Sequence, residues 1–128
     1  NEKNLSCALK NVYDDVILAD LIDLGITIPA ESIFMFETIE HFPKEVGWEI
    51  LQRIFSSQAG YIMISTPKTF FPDSISHRIY EFLIGLPSEH LSLWTIEDFQ
   101  NLGFVVYQIP SYSAGEREPL LIAVRRNG

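Results

Sequence analysis

The chain has 128 residues, 47% of them hydrophobic and 20% charged, which is the composition of one globular domain and excludes a disordered segment. Its net charge of −8, with Arg125-Arg126 as the one basic cluster, argues against nucleic acid as a partner, because no Lys/Arg stripe is there to meet a phosphate backbone. Cys7 is the only cysteine, so an internal disulfide is excluded and a reducing, cytoplasmic setting is expected; no apolar run reaches the ~20 residues of a membrane span.

"VILADL" (16–21) is a short apolar run with Asp20 near its end, the pattern of a buried strand carrying a carboxylate at its carboxyl tip. "SIFMFET" (32–38) repeats that pattern and runs into the polar knot Glu37, Glu40 and His41 ahead of Pro43. "PKEVGWEILQRIFSS" predicts a helix from Pro43, with Val46, Ile50 and Ile54 on one stripe and Leu51 and Phe55 beside it. Gly60 introduces a third strand, "YIMIST", which Pro67 stops.

"PDSISHRIYEFLIGLP" predicts a second helix capped by Asp73 or Ser74, whose apolar face serves either as a lid or as an oligomer contact; His77 on it reads as a surface or interface residue. Trp94 is expected to pack beneath the capping pattern Thr95-x-x-Asp98, which opens a third helix that Gly103 ends. "FVVYQI" and "LLIAVRR" around the turn-rich "PSYSAGEREP" predict an antiparallel hairpin.

Strands alternating with helices predict an α/β domain over 1–128: a Rossmann-like, mostly parallel sheet with helices on both faces and the hairpin at its C-terminal end. In such sheets ligands gather beyond the carboxyl ends of the strands, where Asp20, Glu37 and the Ser65-Thr66 pair are expected. The spacing of Glu37, Glu40 and His41, at i, i+3 and i+4, would put all three on one side of a helical turn. With His90 added, they form a set able to hold a divalent metal.

In order, "VILADL", "SIFMFETIEHFPKEVGWEILQRI", "YIMISTP" and "SEHLSLWTIEDFQNLGFVV" resemble the later part of a class I S-adenosylmethionine-dependent methyltransferase, over about residues 11 to 127. The resemblance implies methyl transfer from S-adenosylmethionine to a small-molecule or other acceptor. Asp20, Leu21, Phe36 and Glu37 would lie at the cofactor, with Leu21 offering a backbone N–H to the adenine; Asp20 read without the family is a capping or solvated carboxylate. His41 is the candidate base or a structural residue, and Glu40 and His90 are acceptor-side groups or alternative metal ligands. No metal is expected in the main reading. The alternative with one is an RNA 2′-O-methyltransferase, since the small-RNA 3′-terminal enzymes have a similar E-x-x-E-H and a later His. A further alternative is a non-catalytic interaction module.

The family's G-x-G-x-G turn and the acid ending its second strand are absent, the seven glycines being scattered. The expectation is therefore a partial domain lacking its first two strands and beginning at Asn1 because an upstream part was removed or left out. Alone it should bind S-adenosylmethionine poorly and be inactive. An unpaired sheet edge would offer a route to homo-oligomers.

Overall fold

The computed structural model describes residues 13, 17, 19–21, 30–69, 90–113 and 116–127. The elements in chain order are strand β1 (Ser32–Phe36), a 3₁₀ turn (Ile39–His41), helix α1 (Lys44–Ser56), strand β2 (Tyr61–Pro67), helix α2 (Ile96–Asn101), and strands β3 (Val105–Ser113) and β4 (Glu116–Arg126). They form one four-stranded sheet of order β1-β2-β4-β3. β1 and β2 run parallel with Phe36 opposite Ser65, so their carboxyl ends lie side by side. β4 is antiparallel to both β2 and β3.

The hairpin is longer than its sequence pattern suggests. β3 and β4 extend through the turn-rich segment, pairing as far as Ser113 with Glu116. Ladder hydrogen bonds have overridden the low strand propensity of Pro110 and Pro119, which face each other. A correction concerns the strand expected over 16–21. Ile17, Ala19 and Asp20 are exposed and outside regular structure, Leu21 lies in a turn, and 16 and 18 lie outside the described residues. None of the described strands takes in residues 17 or 19–21. The helix expected over 72–87, with His77 and the choice between lid and oligomer contact, also lies outside the described residues.

The core follows from two periodicities. Alternate strand positions Ile62 and Ile64 on β2, Leu121 and Ala123 on β4 and Met35 on β1 are buried. Against them α1 lays Ile50, Leu51 and Ile54. An aromatic chain closes the layer: Trp48 to Trp94 at 5.1 Å between ring centres, Trp94 to Phe99 at 5.6 Å, Phe99 to Phe104 at 5.7 Å and Phe104 to Phe55 at 5.8 Å. It joins both ends of α1 to α2 and to the start of β3.

α2 has only six residues, too short to persist on propensity alone. Its reciprocal capping box between Thr95 and Asp98 and the buried Phe99 hold it, and Gly103 at φ +80° turns the chain out. Both described helices pack on this one face of the sheet. On the other face Phe34, Phe36, Tyr61, Val105, Tyr107 and Ile109 are exposed. No helix among the described residues is long and apolar enough to cross a membrane.

Candidate active site

The polar knot starts where β1 stops. Glu37 sits in the left-handed region at φ 47°, an uncommon state for a residue with a side chain, and this reversal swings the chain off the sheet edge. The end of β2 stabilises it. Glu37 N–H donates to Ser65 O (3.1 Å) and Ser65 Oγ (3.3 Å), and Ser65 Oγ–H donates back to Glu37 Oε1 (3.0 Å).

The 3₁₀ turn then drives Ile39 into the core and carries Glu40 inside with it, leaving Glu40 2% exposed. Three groups grip the turn. Leu91 N–H and Ser92 N–H donate to Glu40 O at 2.7 and 3.1 Å, Ser92 Oγ–H donates to Ile39 O at 3.4 Å, and Trp94 Nε1–H donates to Ser92 Oγ at 2.9 Å. The segment bearing His90 is thereby fixed against the segment bearing His41, and the two imidazoles meet edge to face at 5.0 Å.

Glu40 is the electrostatic centre. Thr66 Oγ1–H donates to its Oε2 at 3.2 Å, while Oε1 is buried without a hydrogen-bond partner among the described residues and lies 3.9 Å from His41 Nε2. Burial pushes its pKa up to about 7, against the pull of its own backbone N–H and with a further push from the Glu37 charge. A carboxyl poised there exchanges a proton near neutrality. His41, its side chain 34% exposed, forms the outward side of the pair.

The structure brings Glu40, His41 and His90 together, with one donor atom from each lying within 4.8 Å of the other two. Glu37 is not in that group, which corrects the four-ligand expectation. The helical turn begins only at Ile39, so the i, i+3, i+4 rule does not reach Glu37, and the left-handed step sends its carboxylate to Ser65 instead. Phe36 is exposed at the same strand end. Asp20 is exposed, and Leu21 is half-buried against the core cluster.

Sequence reasoning missed Ser92, whose hydroxyl ties Trp94 to the turn, and Lys44, whose Nζ donates to Leu93 O (2.5 Å) and Asp98 Oδ2 (2.6 Å) 4.3 Å from the Trp94 ring centre. Only the alternation of "LSLW" hinted at the first. An open cavity of about 350 Å³ lies on the same side of the molecule, lined by Lys68, Trp94, Thr95, Ile96, Glu97 and Gln100. Another of about 500 Å³, around Ser32, Gly60 and Tyr61, sits at the amino ends of the parallel strands, away from the knot.

No family model matches the chain, and no curated protein matches it. Among solved structures it is similar to an O-methyltransferase family protein from Burkholderia thailandensis, at 16% identity and a TM-score of 0.53, covering 88% of this chain and 36% of that one. It is also similar to magnesium protoporphyrin IX methyltransferase (ChlM) from Synechocystis PCC 6803. The form with bound SAH gives 18% identity, a TM-score of 0.47 and coverage of 84% and 49% of the two chains. The form with bound SAM gives 16%, 0.47, and 84% and 43%. The chain thus spans less than half the length of each neighbour. The fold is that of a class I methyltransferase in part, a Rossmann-like α/β unit.

Proposed function

We propose that the chain is the acceptor-side portion of an S-adenosylmethionine-dependent methyltransferase acting on a small molecule. The observation that carries this reading is the placement of Glu37 and the Glu40–His41–His90 group beside one another at the carboxyl edge of β1 and β2, where open α/β sheets bind ligands. Two neighbouring hydroxyls, Ser65 and Thr66, each hold one carboxylate, so the edge is organised before any ligand arrives.

Methyl transfer needs the sulfonium methyl and the acceptor atom held in line about 3 Å apart, with a group to receive the acceptor's proton. We assign Phe36, Glu37, Asp20 and Leu21 to the cofactor side. Phe36 offers an exposed apolar surface and Glu37 a carboxylate already oriented by Ser65. His41 is assigned as the base, with Glu40 behind it and His90 beside the acceptor; half-exposure lets the imidazole meet the substrate. No Gly-rich turn of the kind that lets backbone approach the cofactor's ribose and methionine moieties occurs in the sequence.

Amide chemical-shift mapping with millimolar S-adenosylhomocysteine tests the reading on the chain as it stands. Expected are weak, saturable shifts grouped at Leu21, Phe36, Glu37 and the 39–41 turn, reduced by Glu37→Ala. Shifts scattered over the surface, or none at all, overturn the cofactor assignment.

A further inference from the structure

The cavity of about 350 Å³ carries two opposite charges on its walls, Lys68 just beyond the carboxyl end of β2 and Glu97 in the first turn of α2. Its volume falls within the range of small-ligand sites, which begins at about 300 Å³. It also shares supports with the polar knot. Lys68 stands two residues beyond Thr66, which holds Glu40, and Trp94 is bonded through Ser92 to the turn that carries His41.

The two charges are not spent on other side chains. Among the described residues neither Lys68 nor Glu97 forms an ion pair, whereas Lys44 is paired with Asp98 at 2.6 Å. Lys68 is nevertheless held. Its backbone N–H donates to Pro119 O at 2.9 Å, and its Nζ donates to the neutral amide oxygen of Gln108 at 2.7 Å. A neutral acceptor orients an ammonium without cancelling its charge and leaves two of its three N–H groups to donate elsewhere.

We propose that this cavity binds a small zwitterion, an α-amino acid or a compound of the same charge pattern, with its carboxylate on Lys68 and its ammonium on Glu97. Charge selects this class over either of its halves. A simple anion would meet Glu97 and a simple cation would meet Lys68, each at a like-charge cost, whereas a molecule of both signs satisfies both walls. Size agrees with charge. A round cavity of about 350 Å³ is roughly 9 Å across, and an α-amino acid with one hydrogen bond of about 2.8 Å at each charged end spans roughly 8 Å. The half-buried Ile96 leaves an apolar surface for a short aliphatic side chain. In the proposed function this zwitterion is the methyl acceptor. That role rests on the methyltransferase reading, but the binding itself needs no S-adenosylmethionine, so either can fail without the other.

The experiment follows backbone amide shifts of the chain during titration with L-alanine near neutral pH, beside acetate and methylammonium as its two halves. Exposed charge pairs are individually weak, so a Kd of about 1–10 mM is expected. The shifts should be saturable and centred on Lys68, Thr95, Glu97 and Gln100. Acetate and methylammonium should each bind at least about tenfold more weakly, and Lys68→Met and Glu97→Gln should each weaken alanine binding about tenfold through loss of one charged hydrogen bond. Both side chains are exposed, so the fold should persist, which circular dichroism checks. Glu49→Gln, which removes an exposed carboxylate of α1, should leave binding unchanged. Absence of saturable shifts up to about 50 mM alanine overturns the proposal. So does acetate binding as tightly as alanine, full affinity in either Lys68→Met or Glu97→Gln, or an equal loss in Glu49→Gln.

Discussion

Gly47 is where α1 presses hardest on the core. A Cβ added there would stand 2.4 Å from Trp94 Cζ2, 3.2 Å from Trp94 Cη2 and 3.4 Å from Ile39 Cγ1. Carbon atoms settle at about 3.5–4.0 Å, so helix or indole must give way by more than an ångström. The indole is held in place. It is wholly buried between Trp48 and Phe99, and its N–H is bonded to Ser92 Oγ. Overpacking of this kind costs about 1–3 kcal/mol, and a clash this close belongs at the upper end. Against it, alanine in a helix interior is favoured over glycine by about 1 kcal/mol. Gly47→Ala is therefore expected to lose about 1–2 kcal/mol, or about 3–8 °C in Tm for a chain of this size, measured by urea and thermal unfolding. Gly60→Ala is the control, since its Cβ meets nothing closer than Glu31 O at 3.5 Å. Combining Gly47→Ala with Trp94→Phe should cost less than the two separate losses, because the smaller ring removes the atoms in conflict. A Gly47→Ala protein as stable as its parent would refute the packing argument.

Glu40→Gln should alter how stability depends on pH in a metal-free, chelator-containing buffer. With a folded pKa of about 7 against 4.5 for the free side chain, the native state takes up a proton between those values, so stability falls as pH rises through that window. The glutamine variant should lack this decline and gain about 2–3 kcal/mol on the parent at pH 8; parallel pH profiles from urea unfolding would contradict the burial argument. Lys44→Met removes the bonds to Asp98 and Leu93 and the cation over Trp94, for an expected loss of about 1 kcal/mol near neutrality. Asp98 works against its own partial burial, with Lys44 and the Thr95 cap holding its pKa below the usual carboxylate value, so that the difference between parent and variant should shrink as acid protonates Asp98. Thr95→Ala should cost about 1 kcal/mol by unfreezing the N-terminus of α2, and unchanged stability would mean that packing of Phe99 alone holds that helix.

What was legible in the sequence was what local chemistry decides. The apolar stripe of α1, the Thr95–Asp98 box and the glycine stop at 103 each appear where residue type and spacing put them. The two parallel strands were legible because their apolar runs end at polar residues. The extent of the hairpin was not, since its outer rungs depend on pairing between distant residues rather than on their own preferences. The four-ligand reading failed for a related reason: it assumed helical geometry from Glu37 onward, whereas the backbone first passes through one left-handed residue that only the cross-strand bond to Ser65 explains. Residues 17 and 19–21 likewise lie outside regular strand although their sequence is apolar, for apolar composition alone does not fix an extended ladder.

The Ser65-Thr66 dipeptide explains how one strand end can serve two tasks. Consecutive strand residues point to opposite faces. Thr66 faces the helix-covered core and holds Glu40 there, while Ser65, opposite Phe36 in the ladder, faces the other way and holds Glu37. The two carboxylates of a single short segment are thus held by hydroxyls on opposite sides of one strand end. Their environments then differ without further design: Glu40 is desolvated and poised near neutrality, and Glu37 is exposed. In the proposed reaction this division keeps a proton-exchanging group on the acceptor side and an oriented carboxylate on the cofactor side. Exchanging the two hydroxyls for apolar residues should therefore have separable effects. Ser65→Ala should disturb ligand-induced shifts around Glu37 and spare the pH dependence of stability that Glu40 sets, and Thr66→Val should do the reverse. Identical losses in both variants would mean that the strand end acts as one rigid support and that the sheet divides nothing.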